Sequence, residues 1–87
     1  RSYRMNQDPA LCKALLKTLN RIGPAGVEES AALERMEAEY GSPLTTQEAK
    51  DTLIFCADRG WVQSRRDEFE NTRWWLTEAG KTRLSGM

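Results

Sequence analysis

At Gly60 the apolar period of this chain changes, and no other feature of the sequence constrains the fold as much. Before that glycine, apolar residues recur every three to four positions, the spacing of helices with one buried face. After it come Trp61-Val62-Gln63-Ser64-Arg65 and Thr72-Arg73-Trp74-Trp75-Leu76, both rich in aromatic and β-branched residues, with the polar stretch Arg66 to Asn71 between them. That is the pattern of two strands joined by a turn. With 87 residues the chain has material for one modest core, so helices and hairpin must share it. The expected class is α+β: a three-helix bundle, a two-stranded hairpin within Trp61 to Leu76, and a short C-terminal helix.

The helices are delimited by their punctuation. Asp8 is placed to cap a first turn, and Pro9 suits the first helical position, where its missing N–H would have no helical partner anyway. Leu11, Leu15, Leu16, Leu19 and Ile22 make one apolar stripe, and Gly23-Pro24 ends it. The row Lys13, Lys17 and Arg21 reads as the solvated face of this helix. The spacing predicts a second helix that starts between Val27 and Ser30, buries Ala32, Leu33, Met36 and Tyr40, and stops at Gly41-Ser42-Pro43. So short a link turns the third helix sharply against the second. The third helix opens on a capping box, Thr45 with Glu48, and Leu44 precedes it as a hydrophobic staple. Winding it at about 100° per residue sets Ala49, Leu53, Cys56 and Ala57 inside, and Gln47, Lys50, Asp51, Ile54 and Asp58 outside. Thr77 can cap a last helix running to Arg83, with Leu84 docked on the core; Gly80 weakens it by roughly 1 kcal/mol relative to alanine, so packing must hold it. Residues 1–8 read as a flexible N-terminal segment or an expression remnant, 9–84 as the domain, and 85–87 as a C-terminal tail.

The net charge is zero, but it is unevenly spread. Residues 1–22 carry Arg1, Arg4, Lys13, Lys17 and Arg21 against Asp8, a balance of +4. Residues 23–44 carry Glu28, Glu29, Glu34, Glu37 and Glu39 against Arg35, a balance of −4. A strongly basic face is the usual mark of a nucleic-acid binder, and its absence counts against that partner. No apolar run approaches the roughly 20 residues of a membrane span, and no signal-peptide pattern opens the chain. The expectation is a soluble cytoplasmic domain without membrane contact.

Two cysteines and no histidine make a structural metal site improbable, since zinc sites usually take four such ligands. Cys12 and Cys56 both read as small core residues rather than as a disulfide. With no histidine, no glycine-rich phosphate loop and no base for a cysteine nucleophile, the chain is expected to be no enzyme and to need no cofactor.

Two stretches bear a family likeness. Leu53-x-x-x-Ala57-x-x-Gly60-Trp61-Val62 resembles the end of a recognition helix running into a first wing strand. Trp75-Leu76-Thr77-Glu78-Ala79-Gly80-Lys81-x-x-Leu84 is similar to the exit from the wing in MarR-like and PadR-like bacterial transcription regulators. Over residues 9–84 the chain thus resembles the winged helix-turn-helix superfamily. The resemblance implies a transcription regulator that binds double-stranded DNA, its third helix in the major groove and its wing on the phosphate backbone or minor groove.

Carried onto this sequence, the base-facing candidates are Thr46, Gln47 and Lys50, with Ile54 as an apolar contact to a thymine methyl. Arg65, Arg66 and Arg73 are the wing candidates for phosphate contacts, which position without specifying sequence. Asp51 and Asp58 share the outer face of the third helix, and Asp67, Glu68 and Glu70 interrupt the wing arginines. So few useful cations bind weakly at cellular salt, and a homodimer would double them. The alternative is a winged helix that meets a protein partner and no DNA. Trp74 and Trp75, adjacent in a strand, face opposite sides, so one of them is a candidate exposed aromatic, as are Phe55 and Phe69.

Overall fold

A computed structural model describes residues 8–87. The expected N-terminal segment 1–8 therefore lies outside the described residues, apart from Asp8. The order of elements is α1 (Pro9–Ile22), β1 (Val27–Glu28), α2 (Glu29–Tyr40), α3 (Thr46–Asp58), β2 (Val62–Arg66), β3 (Thr72–Leu76) and α4 (Glu78–Ser85). Helices and an antiparallel sheet share one core, in an α+β winged-helix arrangement.

The α1 helix starts as its sequence dictates. Asp8 accepts the Ala10 N–H at 2.9 Å, and Pro9 occupies the first turn. The same carboxylate, through its other oxygen, accepts the Tyr40 hydroxyl at 2.9 Å, so the start of α1 is tied to the end of α2. Leu15, Leu16 and Leu19 are fully buried, each worth about 1.5–3 kcal/mol relative to an exposed position. In α2, Ala32 and Met36 are buried while Leu33 and Tyr40 are half-buried at its border, and Gly41 closes it in the left-handed conformation. In α3 both halves of the capping box form: Thr45 Oγ1 accepts the Glu48 N–H and Glu48 accepts the Thr45 N–H, each at 3.0 Å. Ala49, Thr52, Leu53 and Cys56 turn inward, and Ala57 is half-buried.

The sheet has one strand more than the sequence reading supplied. Its order is β1-β3-β2, with Val27 opposite Trp74 and Glu28 opposite Arg73. The residues just ahead of α2 thus form a short strand, and α2 starts at Glu29, inside the window that the spacing predicts. Two residues carry no alternation that a local pattern can show, and their partner lies more than forty residues downstream. Gly26, at φ 76°, lets the backbone approach β3 here; a Cβ on it would lie 2.6 Å from the Trp74 carbonyl oxygen. The Trp74 indole N–H then donates to Glu29 at 3.1 Å, fastening β3 to the first turn of α2.

The hairpin pairs Val62 with Leu76, Ser64 with Trp74 and Arg66 with Thr72. Val62, Trp74 and Leu76 point into the core, and Trp75, on the opposite face, is half-buried. Thr77 closes the hairpin's base: its N–H donates to the Trp61 carbonyl at 3.0 Å and its hydroxyl to that of Gly60 at 2.6 Å. It also caps α4 by accepting the Gly80 N–H at 3.0 Å. The last helix runs through Ser85, and Met87 packs on the core, so residues 85–87 are part of the folded body rather than a tail. Among the described residues, no helix is long and apolar enough to cross a membrane.

Candidate nucleic-acid interface

The outer face of α3 presents Thr46, Gln47, Lys50 and Ile54, all exposed. Thr46, Lys50 and Ile54 succeed one another at intervals of four, so they form a single ridge. Ile54 is 56% exposed, unusual for a residue of its size in a domain with an apolar core to fill. The Gln47 amide donates to Asp51 at 2.8 Å. That bond holds Gln47 extended along the helix, and it engages the aspartate that would otherwise oppose a phosphate. Lys50 has no ion-pair partner among the described residues.

The wing divides its three arginines. Arg65 and Arg66, at the far end of β2, are exposed, and their guanidinium groups have no hydrogen-bond or ion-pair partner among the described residues. Arg73 is different. Its guanidinium donates to the carbonyls of Gly26 at 3.0 Å and Ala25 at 3.4 Å, clamping β3 to the loop ahead of β1. It stands opposite Arg65 in the strand register, and all three arginines border one shallow cavity of about 500 Å³ with Trp75 and the Pro24–Ala25 loop. Sequence reasoning treated Arg73 as the equal of its neighbours, because the carbonyls that hold it belong to a distant loop.

The acidic residues also have structural duties. Asp67 accepts the Phe69 N–H at 2.8 Å and the Asn71 N–H at 3.0 Å, shaping the turn and leaving less of its charge to face outward. At the tip Glu70 has φ 63°, and Phe69 is 76% exposed. On α2, Glu39 pairs with Arg21 at 2.9 Å and Lys17 at 3.9 Å, and Glu37 accepts the Leu44 N–H at 2.8 Å. The basic excess of α1 and the acidic excess of α2 thus offset each other where the two helices meet, and Lys17 and Arg21 are pairing residues rather than merely solvated ones. Lys50, Arg65 and Arg66 stand outside that compensation.

Of the tryptophans, Trp74 is the buried one, and among the described residues the exposed aromatic is Phe69 at the wing tip. Phe55 packs edge-to-face on Trp61, with ring centroids 6.1 Å apart. Both cysteines are buried and free. A hydrogen bond from Cys56 lowers the Cys12 pKa, while the Cys56 thiol is pushed far up by that bond and by burial. The Asp8 carboxylate raises the Tyr40 pKa through their hydrogen bond. Among the described residues no three His, Cys, Asp or Glu side chains are grouped to hold a metal ion.

No family model matches the chain, and no curated protein matches it significantly. Among solved structures, the crystal structure of SSV1 F-93 superposes with a TM-score of 0.65 at 22% identity, over 99% of this chain and 87% of that one. At that identity the likeness concerns the fold.

Proposed function

We propose that this chain is the DNA-binding module of a MarR-like or PadR-like transcription regulator, working in the cytoplasm as a pair of copies and without catalysis. The α3 ridge enters the major groove, Lys50 and Gln47 reach base edges, and Ile54 meets a thymine methyl. Arg65 and Arg66 sit on phosphates. Arg73 serves the wing's shape. The observation that carries the reading is the placement of three exposed cations that have no ion-pair partner among the described residues: Lys50 lies on the outer face of α3, Arg65 and Arg66 lie on the wing, and the fold is one in which both elements can meet a duplex.

Titration of labelled duplex DNA at two salt concentrations tests it. Three cations per copy, six for a pair, correspond to a slope of log K against log salt of about −5. Lys50→Glu and the double change Arg65→Glu/Arg66→Glu are expected to reduce both the affinity and that slope, while Arg73→Gln acts mainly on stability. Absence of binding even at low salt would sink the reading.

One observation favours a protein partner instead: Phe69, 76% exposed at the wing tip, suits a protein interface. If Phe69→Ser abolished association with a partner protein while the duplex titration stayed flat, the interaction module would be the right description.

A further inference from the structure

On the face of the hairpin turned away from the core, Arg65, Arg73 and Trp75 lie together, because Val62, Trp74 and Leu76 point inward and side chains alternate along a strand. Arg65 stands directly opposite Arg73, and Trp75 lies two residues further along β3, roughly 7 Å away at the rise of a strand. With Arg66 and the Pro24–Ala25 loop they line the cavity of about 500 Å³, well inside the range for ligand sites, roughly 300–1,000 Å³. The three tryptophans are used differently. Trp74 is buried, and Trp61 meets the Phe55 ring and lies under the Arg83 guanidinium. No ring or guanidinium is stacked on Trp75 among the described residues, so its half-buried indole lines the cavity as a flat apolar wall. The cations are placed beside it. Arg73 spends Nη1 on the Gly26 and Ala25 carbonyls, which fixes its guanidinium and leaves the Nε and Nη2 donors unspent. The Arg65 and Arg66 guanidiniums have no hydrogen-bond or ion-pair partner among the described residues. Two carboxylates also border the cavity: Asp67 is engaged by the amides of Phe69 and Asn71, and the exposed Glu68 offsets one cation. The balance stays positive.

We propose that this cavity binds a free nucleotide, its base stacked on Trp75 and its phosphates held by Arg65, Arg66 and Arg73. The composition selects that class. An inorganic phosphate has no use for the indole, a neutral aromatic leaves the guanidiniums unanswered, and a monocarboxylate answers only one of them. A nucleotide joins a flat base to several negative charges through one sugar, and here a flat wall stands one short step along the strand from a pair of arginines. The site makes no use of Lys50 or of α3, so it is tested without any duplex.

ADP, titrated without added metal into the isotope-labelled full chain, tests the site by indole and amide chemical shifts. It is expected to saturate, with shifts concentrated at the Trp75 indole and at the amides of residues 25–26, 65–66 and 73–75. Adenosine lacks the phosphates and inorganic pyrophosphate lacks the base, so each should bind at least about tenfold more weakly. Trp75→Ala should lose about tenfold in affinity for ADP, while Trp75→Phe, which keeps a stacking ring, loses much less. Arg65→Gln should also lose about tenfold. Both positions lie on the face turned from the core, and thermal unfolding verifies that the variants fold. The proposal is overturned if ADP does not saturate by about 10 mM. It is equally overturned if adenosine or pyrophosphate binds as well as ADP, or if Trp75→Ala or Arg65→Gln binds ADP unchanged. Saturation by an oligodeoxyadenylate where ADP fails would overturn it too, and would assign this face to single strands.

Discussion

Gly80 lies against the carbonyl oxygen of Trp61 and the side chain of Leu76, so a methyl group there must drive α4 away from the base of the hairpin. Helix propensity alone would reward Gly80→Ala by about 1 kcal/mol. The collision involves backbone and outweighs that gain, and a net loss of about 1–3 kcal/mol is expected, seen as a fall in Tm. Gly86→Ala is the control: a Cβ there is 3.6 Å from its nearest neighbour, an ordinary contact, so Tm should barely move. Thr18 offers the opposite sign. Its hydroxyl is buried without a hydrogen-bond partner among the described residues, so Thr18→Val should raise stability, by about 1 kcal/mol in chemical denaturation. Tyr40 supplies a pH dependence. Its raised pKa means that the folded state holds the phenolic proton more tightly than the unfolded chain, whose tyrosine titrates near 10.0. That contribution is complete below pH 10 and is lost as pH rises through the folded value. Tyr40→Phe should therefore flatten the decline of stability in that alkaline range, measured by denaturation at a series of pH values.

At the scale of elements, the helix caps are the signals that local sequence carries best. The Asp8-Pro9 start, the Thr45–Glu48 capping box and the Thr77 cap each form as their sequence spacing requires, because every partner lies within a turn. The hairpin was legible for the same reason, since its register follows from alternation on two nearby strands. What escaped was non-local. β1 has no period of its own, and Arg73 finds its acceptors 47 and 48 residues away in sequence. Parity alone said that only one of Trp74 and Trp75 enters the core; the choice of Trp74 depends on which face of β3 meets α2. The candidate site was legible as a set of positions but not as a division of labour. The wing turn rests on Asp67, which organises the amides of Phe69 and Asn71. Asp67→Ala should speed hydrogen exchange at those two amides while leaving the core amides of α1 protected.

At the scale of the molecule, electrostatics is settled by where helices meet rather than by the total. A chain of zero net charge gains little long-range attraction to DNA, so on the proposed reading affinity would have to come from short-range contacts and from pairing of copies. The expected outcome is two chains per duplex, with half-sites about one helical turn apart, as ultracentrifugation with duplexes of varied spacing would show. Saturation at one chain per duplex whatever the spacing would contradict the paired arrangement.

The place of β3 between β1 and β2 has a mechanical consequence. Arg73 grips the loop before β1, Trp74 grips the first turn of α2, and Thr77 locks the hairpin's base to Gly60 and Trp61. Only the span beyond Arg65 and Arg73 projects unsupported. The wing behaves as a cantilever with a clamped root: its tip can bend to follow a curved surface, while a load on the tip is delivered to the second helix.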